Sequence, residues 1–275
     1  MNVGDALGAA GLDRREARRL LAAATDIPEG RLVAHPALEL DERSWSRFNA
    51  WAARRRQGEP IAYLIGWREF YGLTLAVTPA VLIPRHESEL LVERALERLA
   101  VQATQGPCRV LDLGTGSGAL ALAIKHERPS ARVLAVDASG SALEVARGNA
   151  RRLGLDIDWR EGHWFSAVPR ERFEVIVSNP PYVASDDPHL VQGDLPFEPA
   201  AALVGGVDGL AAIRDIVRDA PTHLRPGGWL FLEHGYDQAD AVRGVLQAAD
   251  FEEITAWRDL AGHPRVSGGR SGGAR

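Results

Sequence analysis

The sequence predicts an α/β protein in which a doubly wound sheet of seven strands follows a small helical domain and a β-hairpin linker. Three observations carry that prediction. From about residue 87 onward, short apolar runs rich in Val and Leu alternate with longer stretches of helical periodicity. The first of those runs ends in a glycine-rich turn that leads into a helix. The preceding residues carry apolar stripes at helical spacing, and 275 residues suffice for two domains.

Residues 13–25 place Ala17, Leu20, Leu21 and Ala24 on one helical face, opened by an Asp13/Glu16 pair that reads as a capping box. A second helix is expected over 41–57, with Trp45, Phe48 and Ala52 turned inward and Gly58 as its stop. Residues 1–70 thus read as a helical domain. The stretch "GLTLAVTPAVLIPR" alternates at Leu73, Leu75 and Val77, breaks near Pro79 and resumes at Val81-Leu82-Ile83, which predicts a hairpin linker over 71–86. The main domain, 87–268, then follows. "RVLDLG" is a strand, 118–127 a helix and "RVLAVD" a strand; 141–153 is a helix with Ser141 and Glu144 at its start and Gly154 at its end. A third strand precedes "EGHWFSAV". "FEVIVS" is a strand, 209–224 a helix, "GWLFLEH" a strand and 237–249 a helix. Short strands are expected near 251–257 and 264–268, and periodicity leaves open whether they pair antiparallel. The Gly/Ser-rich end "SGGRSGGAR" predicts a flexible tail over 269–275.

Composition removes several classes of function. Net charge is −5, and residues 1–75 hold 11 Arg against 10 Asp plus Glu, so no basic field invites nucleic acid. The run Arg54-Arg55-Arg56 reads as a solvated helix face. No apolar stretch approaches the ~18 residues of a membrane span, and the first residues lack the basic start and apolar core of a signal peptide. Cys108 is the only cysteine, which fits a reducing cytoplasm, and the eight His lack metal-ligand spacing, so no metal is expected.

The turn after the first strand of the main domain is Asp112-Leu113-Gly114-Thr115-Gly116-Ser117-Gly118. Glycine there admits a ligand close to the backbone. Gly114, Gly116 and Ala119 also satisfy the dinucleotide fingerprint, and Asp137 ends the next strand, where a carboxylate can accept hydrogen bonds from ribose hydroxyls. Alone, this pattern fits a nicotinamide enzyme nearly as well as a methyltransferase.

A second motif separates them. "FEVIVS" runs into Asn179-Pro180-Pro181-Tyr182, in which the prolines fix φ and hold the residue before each of them extended. The Asn179 side-chain oxygen and the Pro180 carbonyl can together hold both hydrogens of a planar –NH2 group, with Tyr182 over its face. The lone pair of such a nitrogen is delocalised and weakly nucleophilic, so holding both hydrogens aims it at an electrophilic methyl. Hydride transfer has no evident use for these acceptors. Trp164, beyond the third strand, is placed to flank an adenine.

With these motifs the chain resembles the protein-glutamine methyltransferases that modify the Gly-Gly-Gln glutamine of peptide-chain release factors. "GEPIAYLIGWREFYGL", "VLIPR", "DLGTGSG", "VSNPPYVA", "DPHL", "FEPAAALVGGVDGL", "LEHG" and "RDLAGHPRV" fit that family in order over nearly the whole chain. The resemblance implies a class I methyltransferase fold, S-adenosylmethionine as cofactor and release factors as partners. It further implies that Gly114, Thr115, Gly116, Ser117, Gly118, Asp137, Trp164 and Asn179 contact the cofactor, while Asn179, Pro180, Pro181 and Tyr182 hold the substrate glutamine. Asn179, Pro180 and Tyr182 are the expected catalytic residues, and residues 1–70 the part that recognises the protein substrate. A cytoplasmic monomer without nucleic-acid contact is expected. The family usually has Arg-Pro-Glu-Thr-Glu where this chain has Arg85-His86-Glu87-Ser88-Glu89, so a stiff proline is lost and a hydroxyl is kept without its methyl. Glu87 and Glu89 are candidates for the pocket edge or for helix capping. Two rival readings are an adenine amino-methyltransferase acting on DNA or RNA, and a noncatalytic cofactor-binding module. The first wants a basic groove and a target-recognition module, and intact Asn179 and Tyr182 argue against the second.

Overall fold

The structure is a computed structural model that describes residues 1–102 and 107–272. The chain divides into two units, one of Met1–Trp67 with Val191–Phe197, the other of Arg68–Leu190 with Glu198–Arg275. The boundary therefore falls a few residues before the expected 70, and a short segment from far along the chain joins the helical unit.

The helical unit holds α1 (Val3–Ala9), α2 (Arg14–Thr25), α3 (Glu29–Ala34), α4 (Glu42–Arg56) and α5 (Ile61–Ile65). Asp13 caps α2 by accepting the Arg15 N–H, and Asp41 caps α4 by accepting the Ser44 N–H. Ala17, Leu20, Leu21 and Ala24 of α2 pack with Phe48 of α4 in one apolar core, which Trp45 joins from its edge. The joined segment is held by Arg55, which donates to Glu16 at 2.6 Å and to Asp194 at 2.9 Å. The middle arginine of the predicted solvated run thus has a structural use.

A hairpin of β1 (Trp67–Phe70) and β2 (Leu73–Ala76) follows in the chain. Its turn is Tyr71-Gly72, both with positive φ, the geometry a two-residue hairpin loop demands. This corrects the expected hairpin over 71–86. Residues Val81-Leu82-Ile83 form no strand, because the alternation seen at Leu73 and Leu75 belongs to a strand that pairs backward in the chain.

Seven further strands are described: β3 (Arg109–Leu113), β4 (Arg132–Asp137), β5 (Asp158–Glu161), β6 (Phe173–Ser178), β7 (Leu224–Glu233), β8 (Phe251–Arg258) and β9 (Pro264–Ser271). Their order is β5-β4-β3-β6-β7-β9-β8, parallel through β7 and antiparallel from β7 to β9 and from β9 to β8. Helices α6 (Glu89–Gln102), α7 (Ala119–Glu127) and α8 (Gly140–Leu153) bury their apolar faces with Val110, Val133 and Val175. Helices α9 (Ala211–His223) and α10 (Ala239–Ala248) cover the opposite side with Leu111, Leu134 and Ile176. Neighbouring strand residues thus point to opposite cores, as a sheet buried on both faces requires.

Two expectations are corrected here. The start of α8 is capped by Ser139, whose hydroxyl accepts the Ala142 N–H, and not by Ser141 and Glu144. The flexible tail over 269–275 does not hold for its first residues, since β9 continues through Ser271. Gly268 and Gly269 are packing residues: a Cβ on Gly268 would lie 2.5 Å from Phe231 Cδ1, and one on Gly269 would lie 3.0 Å from Phe251 Cβ. Residues 273–275 of that tail lie outside the described residues.

Candidate active site

The chain's progress across the sheet reverses between the parallel neighbours β3 and β6, and ligands of open α/β sheets bind beyond the strand ends at such a point. Ser178 at the end of β6 donates to the Leu113 carbonyl at 2.7 Å, which joins the two strand ends that carry the motifs.

After β3, Gly114, Gly116 and Gly118 have φ of 72°, 55° and 85°, a region costly for other residues. Four of the loop's amides are engaged. Gly114 and Thr115 donate to the Val136 carbonyl, Gly118 donates to the Thr115 carbonyl, and Gly116 donates to Asp137 Oδ2 at 2.8 Å. A dinucleotide site holds its pyrophosphate on free amides at this place. Here those four are used within the protein. Thr115 and Ser117 are buried, the former donating to Asp112 at 2.6 Å, the latter offering its carbonyl to Asn149 at 2.9 Å. Asn149 also exchanges hydrogen bonds with both backbone groups of Ala76, so one buried amide joins the hairpin to the glycine loop.

The remaining surface of the loop suits a cationic nucleoside. No described atom lies within 4 Å of a Cβ built on Gly116, so the backbone there is open to a ligand. Asp137 accepts from Gly116 and, at 2.9 Å, from the Ser139 N–H, and each oxygen keeps a lone pair for ribose hydroxyls. Trp164 lays its ring against Gly114, where a Cβ would meet it at 3.3 Å, and it holds a φ of 47° to do so. Asp112 is fully buried, and its Oδ1 finds no hydrogen-bond partner among the described residues. Burial pushes its carboxyl up to about 7, and nearby Asp137 adds to the shift. A positive ligand is what this pair of carboxylates lacks, and S-adenosylmethionine carries a sulfonium and an ammonium. The residues present fit it.

The second motif stands beside the first. Asn179 donates its Nδ2 to Ser88 Oγ at 3.0 Å, and the Tyr182 hydroxyl donates to Glu233 Oε1 at 3.2 Å. Burial and the Glu233 carboxylate raise the Tyr182 phenol, so it stays protonated. Behind this segment Gln238 donates to the Tyr182 carbonyl at 3.0 Å and accepts from the Gly235 N–H at 2.8 Å. Gly205 and Gly209 close the cradle, since a Cβ on either would lie 2.4 Å from the Pro181 carbonyl oxygen or 2.2 Å from that of Tyr182. Of the two acidic candidates beside Ser88, Glu89 accepts the Tyr71 N–H at 3.0 Å and is a structural tie, while Glu87 is exposed. Arg85 pairs with the buried Glu198, which also accepts the Ile83 N–H at 3.1 Å. Among the described residues, no three His, Cys, Asp or Glu gather as metal ligands, and no helix is long and apolar enough to cross a membrane.

The sequence reading assigns no role to Asp112, Glu233, Asn149 or Gln238. A signal existed for the first two: each is an acid set in or closing a run of apolar residues, Val110–Leu113 in β3 and Trp229–Leu232 in β7, at the strand end that faces the motifs. Asn149 and Gln238 act across large sequence separations and leave no local trace.

The chain is similar to known proteins over nearly its whole length. Residues 87–195 match the methyltransferase small domain, and residues 3–66 match the PrmC N-terminal domain. The chain is 52% identical over 271 residues to the release factor glutamine methyltransferase of Burkholderia pseudomallei, covering 96% of this chain and 94% of that one. It is 44% identical over 258 residues to the protein of the same name from Escherichia coli, covering 94% and 92%. The fold matches a methyltransferase from Pyrococcus furiosus with a TM-score of 0.54 at 19% identity, over 81% of this chain and 98% of that chain. A T. thermophilus 16S rRNA methyltransferase solved with AdoMet and guanosine matches at 0.54 and 20% identity, over 95% and 70%. With a sheet of this order, two adjoining motifs and such relatives, the chain belongs to the release factor glutamine methyltransferase family, whose members are S-adenosylmethionine-dependent enzymes.

Proposed function

We propose that this protein methylates the side-chain amide nitrogen of the glutamine in the Gly-Gly-Gln motif of peptide-chain release factors. The observation that carries the reading is the orientation of Asn179. Its Nδ2 is spent on Ser88, so its oxygen is the end left to accept a hydrogen bond from substrate. Bound S-adenosylmethionine supplies an electrophilic methyl group. Asn179 and the Pro180 carbonyl accept one amide hydrogen each, which fixes the amide plane and aims the nitrogen lone pair at that methyl. Their hydrogen bonds strengthen as the nitrogen gains positive charge, so they lower the barrier more than they tighten binding. Tyr182 covers the amide plane. No strong base is needed beforehand, because the amide proton becomes acidic only as the new bond forms. Asp112, Asp137, Trp164 and the Gly114–Gly118 loop are the residues assigned to hold the cofactor.

Residues 1–67 supply, on this reading, the contacts that recognise the protein substrate, for a lone glutamine side chain offers too little surface for specificity. The protein acts in the cytoplasm as a monomer without nucleic-acid contact. Its single cysteine, Cys108, supports the compartment, and its near-neutral first 75 residues support the absence of nucleic-acid contact. The test is incubation with labelled cofactor and purified release factor beside a version whose Gly-Gly-Gln glutamine is alanine. Label on the first alone is expected, and equal label on both refutes the assignment.

A further inference from the structure

Gln238 has no role in the reaction proposed above, yet its side chain is tied at both ends to backbone around the candidate site. It stands immediately before α10 and does not use its side chain to cap that helix. Oε1 accepts the Gly235 N–H at 2.8 Å, while the Gln238 N–H returns to the Gly235 carbonyl at 3.0 Å. Nε2 donates to the Tyr182 carbonyl at 3.0 Å and to the Asp208 carbonyl at 3.4 Å. One amide thus joins three loops: the motif at 179–182 after β6, the turn between β7 and α10, and the loop at 205–209 before α9.

That grip has a direction. Two consecutive prolines leave positions 180 and 181 without an N–H to tie into their surroundings, so the motif is held there through carbonyls, and a carbonyl needs a donor. A backbone N–H only donates and a backbone carbonyl only accepts. The two ends of the Gln238 amide are therefore not interchangeable: the Gly235 N–H takes the oxygen and the Tyr182 carbonyl takes the –NH2. The backbone on either side is shaped to admit the amide. A Cβ on Gly209 would lie 2.7 Å from Nε2, and one on Gly235 would lie 3.1 Å from Oε1. At the start of the motif Asn179 is tied to Ser88, and just past its end Val183 donates to the Leu203 carbonyl and accepts from the Gly205 N–H, both at 2.9 Å. The Tyr182 backbone, between those ties, is gripped by Gln238.

We propose that Gln238 is a positioning residue for methyl transfer: by holding the Tyr182 backbone it sets where the Pro180 carbonyl and the Tyr182 ring stand relative to Asn179, and with that the fit of the site to the two hydrogens of a primary amide. The inference rests on the reading that Asn179 and the Pro180 carbonyl grip the reacting nitrogen. Two acceptors that share one –NH2 tolerate little displacement, and a misplacement of about 1 Å costs on the order of 10²-fold in rate. Gln238 is only half-buried, so water replaces part of the lost donor, and a loss of roughly 10- to 10²-fold is expected when the grip is removed.

The test uses the full-length protein with intact release factor and measures turnover at saturating cofactor and release factor together with S-adenosylhomocysteine affinity. Gln238→Met keeps the length of the side chain without its donor or acceptor; it should lower turnover roughly 10- to 10²-fold and leave affinity within about threefold. Gln238→Glu keeps the shape and still accepts the Gly235 N–H, but once ionised it sets an acceptor against the Tyr182 and Asp208 carbonyls. It should lose as much at pH 8. Protonation restores the donor, and partial burial beside two carbonyls raises this carboxyl above its ordinary value of about 4.3; a rise of about one unit leaves about a sixth of it protonated at pH 6. The ratio of Gln238→Glu to parental turnover should therefore climb at least about twofold from pH 8 to pH 6, while the Gln238→Met ratio stays level. Asp208 with its partner Arg214, Glu233 on the Tyr182 hydroxyl, His234 on the Gly235 carbonyl, and Asp237 are common to variant and parent, so the ratio isolates position 238. Parental turnover in Gln238→Met overturns the proposal, as does a loss of S-adenosylhomocysteine affinity as large as the loss of turnover, or a Gln238→Glu ratio that ignores pH. If Gln238→Glu fails to fold, Gln238→Met still decides. Asn179→Ala in the same assay separates the two ideas: if it retains turnover, the reading of the site fails along with this inference. If it loses roughly 10²–10³-fold while the Gln238 variants do not, only this inference fails.

Discussion

Changing Asp137 to Asn removes one oxygen and no volume, and the structure makes its cost calculable. Both carboxylate oxygens accept backbone amides, Oδ2 from Gly116 at 2.8 Å and Oδ1 from Ser139 at 2.9 Å. An asparagine has one oxygen to offer, so whichever way its amide turns, an –NH2 faces an N–H donor. The charge that strengthens any ribose contact goes as well. One lost charge-assisted hydrogen bond is worth about 1.5–3 kcal/mol, or about 10- to 150-fold in affinity. Asp137 is only half-buried, so water recovers part of this, and the lower half of that range is expected. Calorimetric titration with S-adenosylhomocysteine is the assay, with thermal unfolding as the control for an intact fold. Asp137→Ala removes the clash along with the bonds and should weaken binding no more than Asp137→Asn does. Affinity within threefold of the parent in both variants would place the ribose elsewhere and refute the assignment of the β4 end.

Gly209→Ala puts a Cβ at 2.2 Å from the Tyr182 carbonyl oxygen and 2.7 Å from Gln238 Nε2, at a φ of 72°; steady-state turnover should fall at least about tenfold with S-adenosylhomocysteine affinity nearly unchanged, since a misplacement of about 1 Å suffices. Asp112→Asn should stabilise the ligand-free protein in alkaline buffer while weakening cofactor binding. The buried carboxyl at about 7 holds a proton in the folded state that the unfolded chain releases near 4, so its burden on stability appears as pH rises from about 4 to 7. Melting curves should give Asp112→Asn a gain of at least about 2 °C at pH 8 that vanishes by pH 4, and a gain independent of pH would exclude the titration. Removal of residues 1–67 should leave S-adenosylhomocysteine binding within a few-fold and abolish labelling of intact release factor; near-parental labelling would move substrate recognition to the second unit.

The order of strands and helices was legible because apolar runs in a sheet buried on both faces are continuous and are punctuated by glycine, as at Gly114 and Gly154. Turns were less legible. A Tyr71-Gly72 loop demands positive φ of a tyrosine, which no propensity anticipates, so the alternation alone points to a hairpin further along the chain. The glycines of β9 illustrate the opposite error: composition marks the Gly/Ser-rich end as a flexible tail, whereas Phe231 and Phe251 leave space at Gly268 and Gly269 for nothing larger. At the site, the sequence displayed Asn179 and Tyr182 but not what orients them. Ser88 and Glu233 reach them across 91 and 51 residues of chain, and such meetings follow from topology alone.

The strand order β7-β9-β8 also sets a schedule for the growing chain. Strand β8 leaves the ribosome before β9 but has no place in the sheet until β9 arrives, because its ladder runs only to β9. Until then the exposed margin of β7, with Leu230 and Leu232 along it, is an open edge. The short connection between β8 and β9 lets them close as a hairpin in microseconds and dock as one piece. A chain that ends between them would present an unpaired hydrophobic strand to its neighbours, so the arrival of Pro264–Ser271 is what closes the sheet against edge-to-edge association.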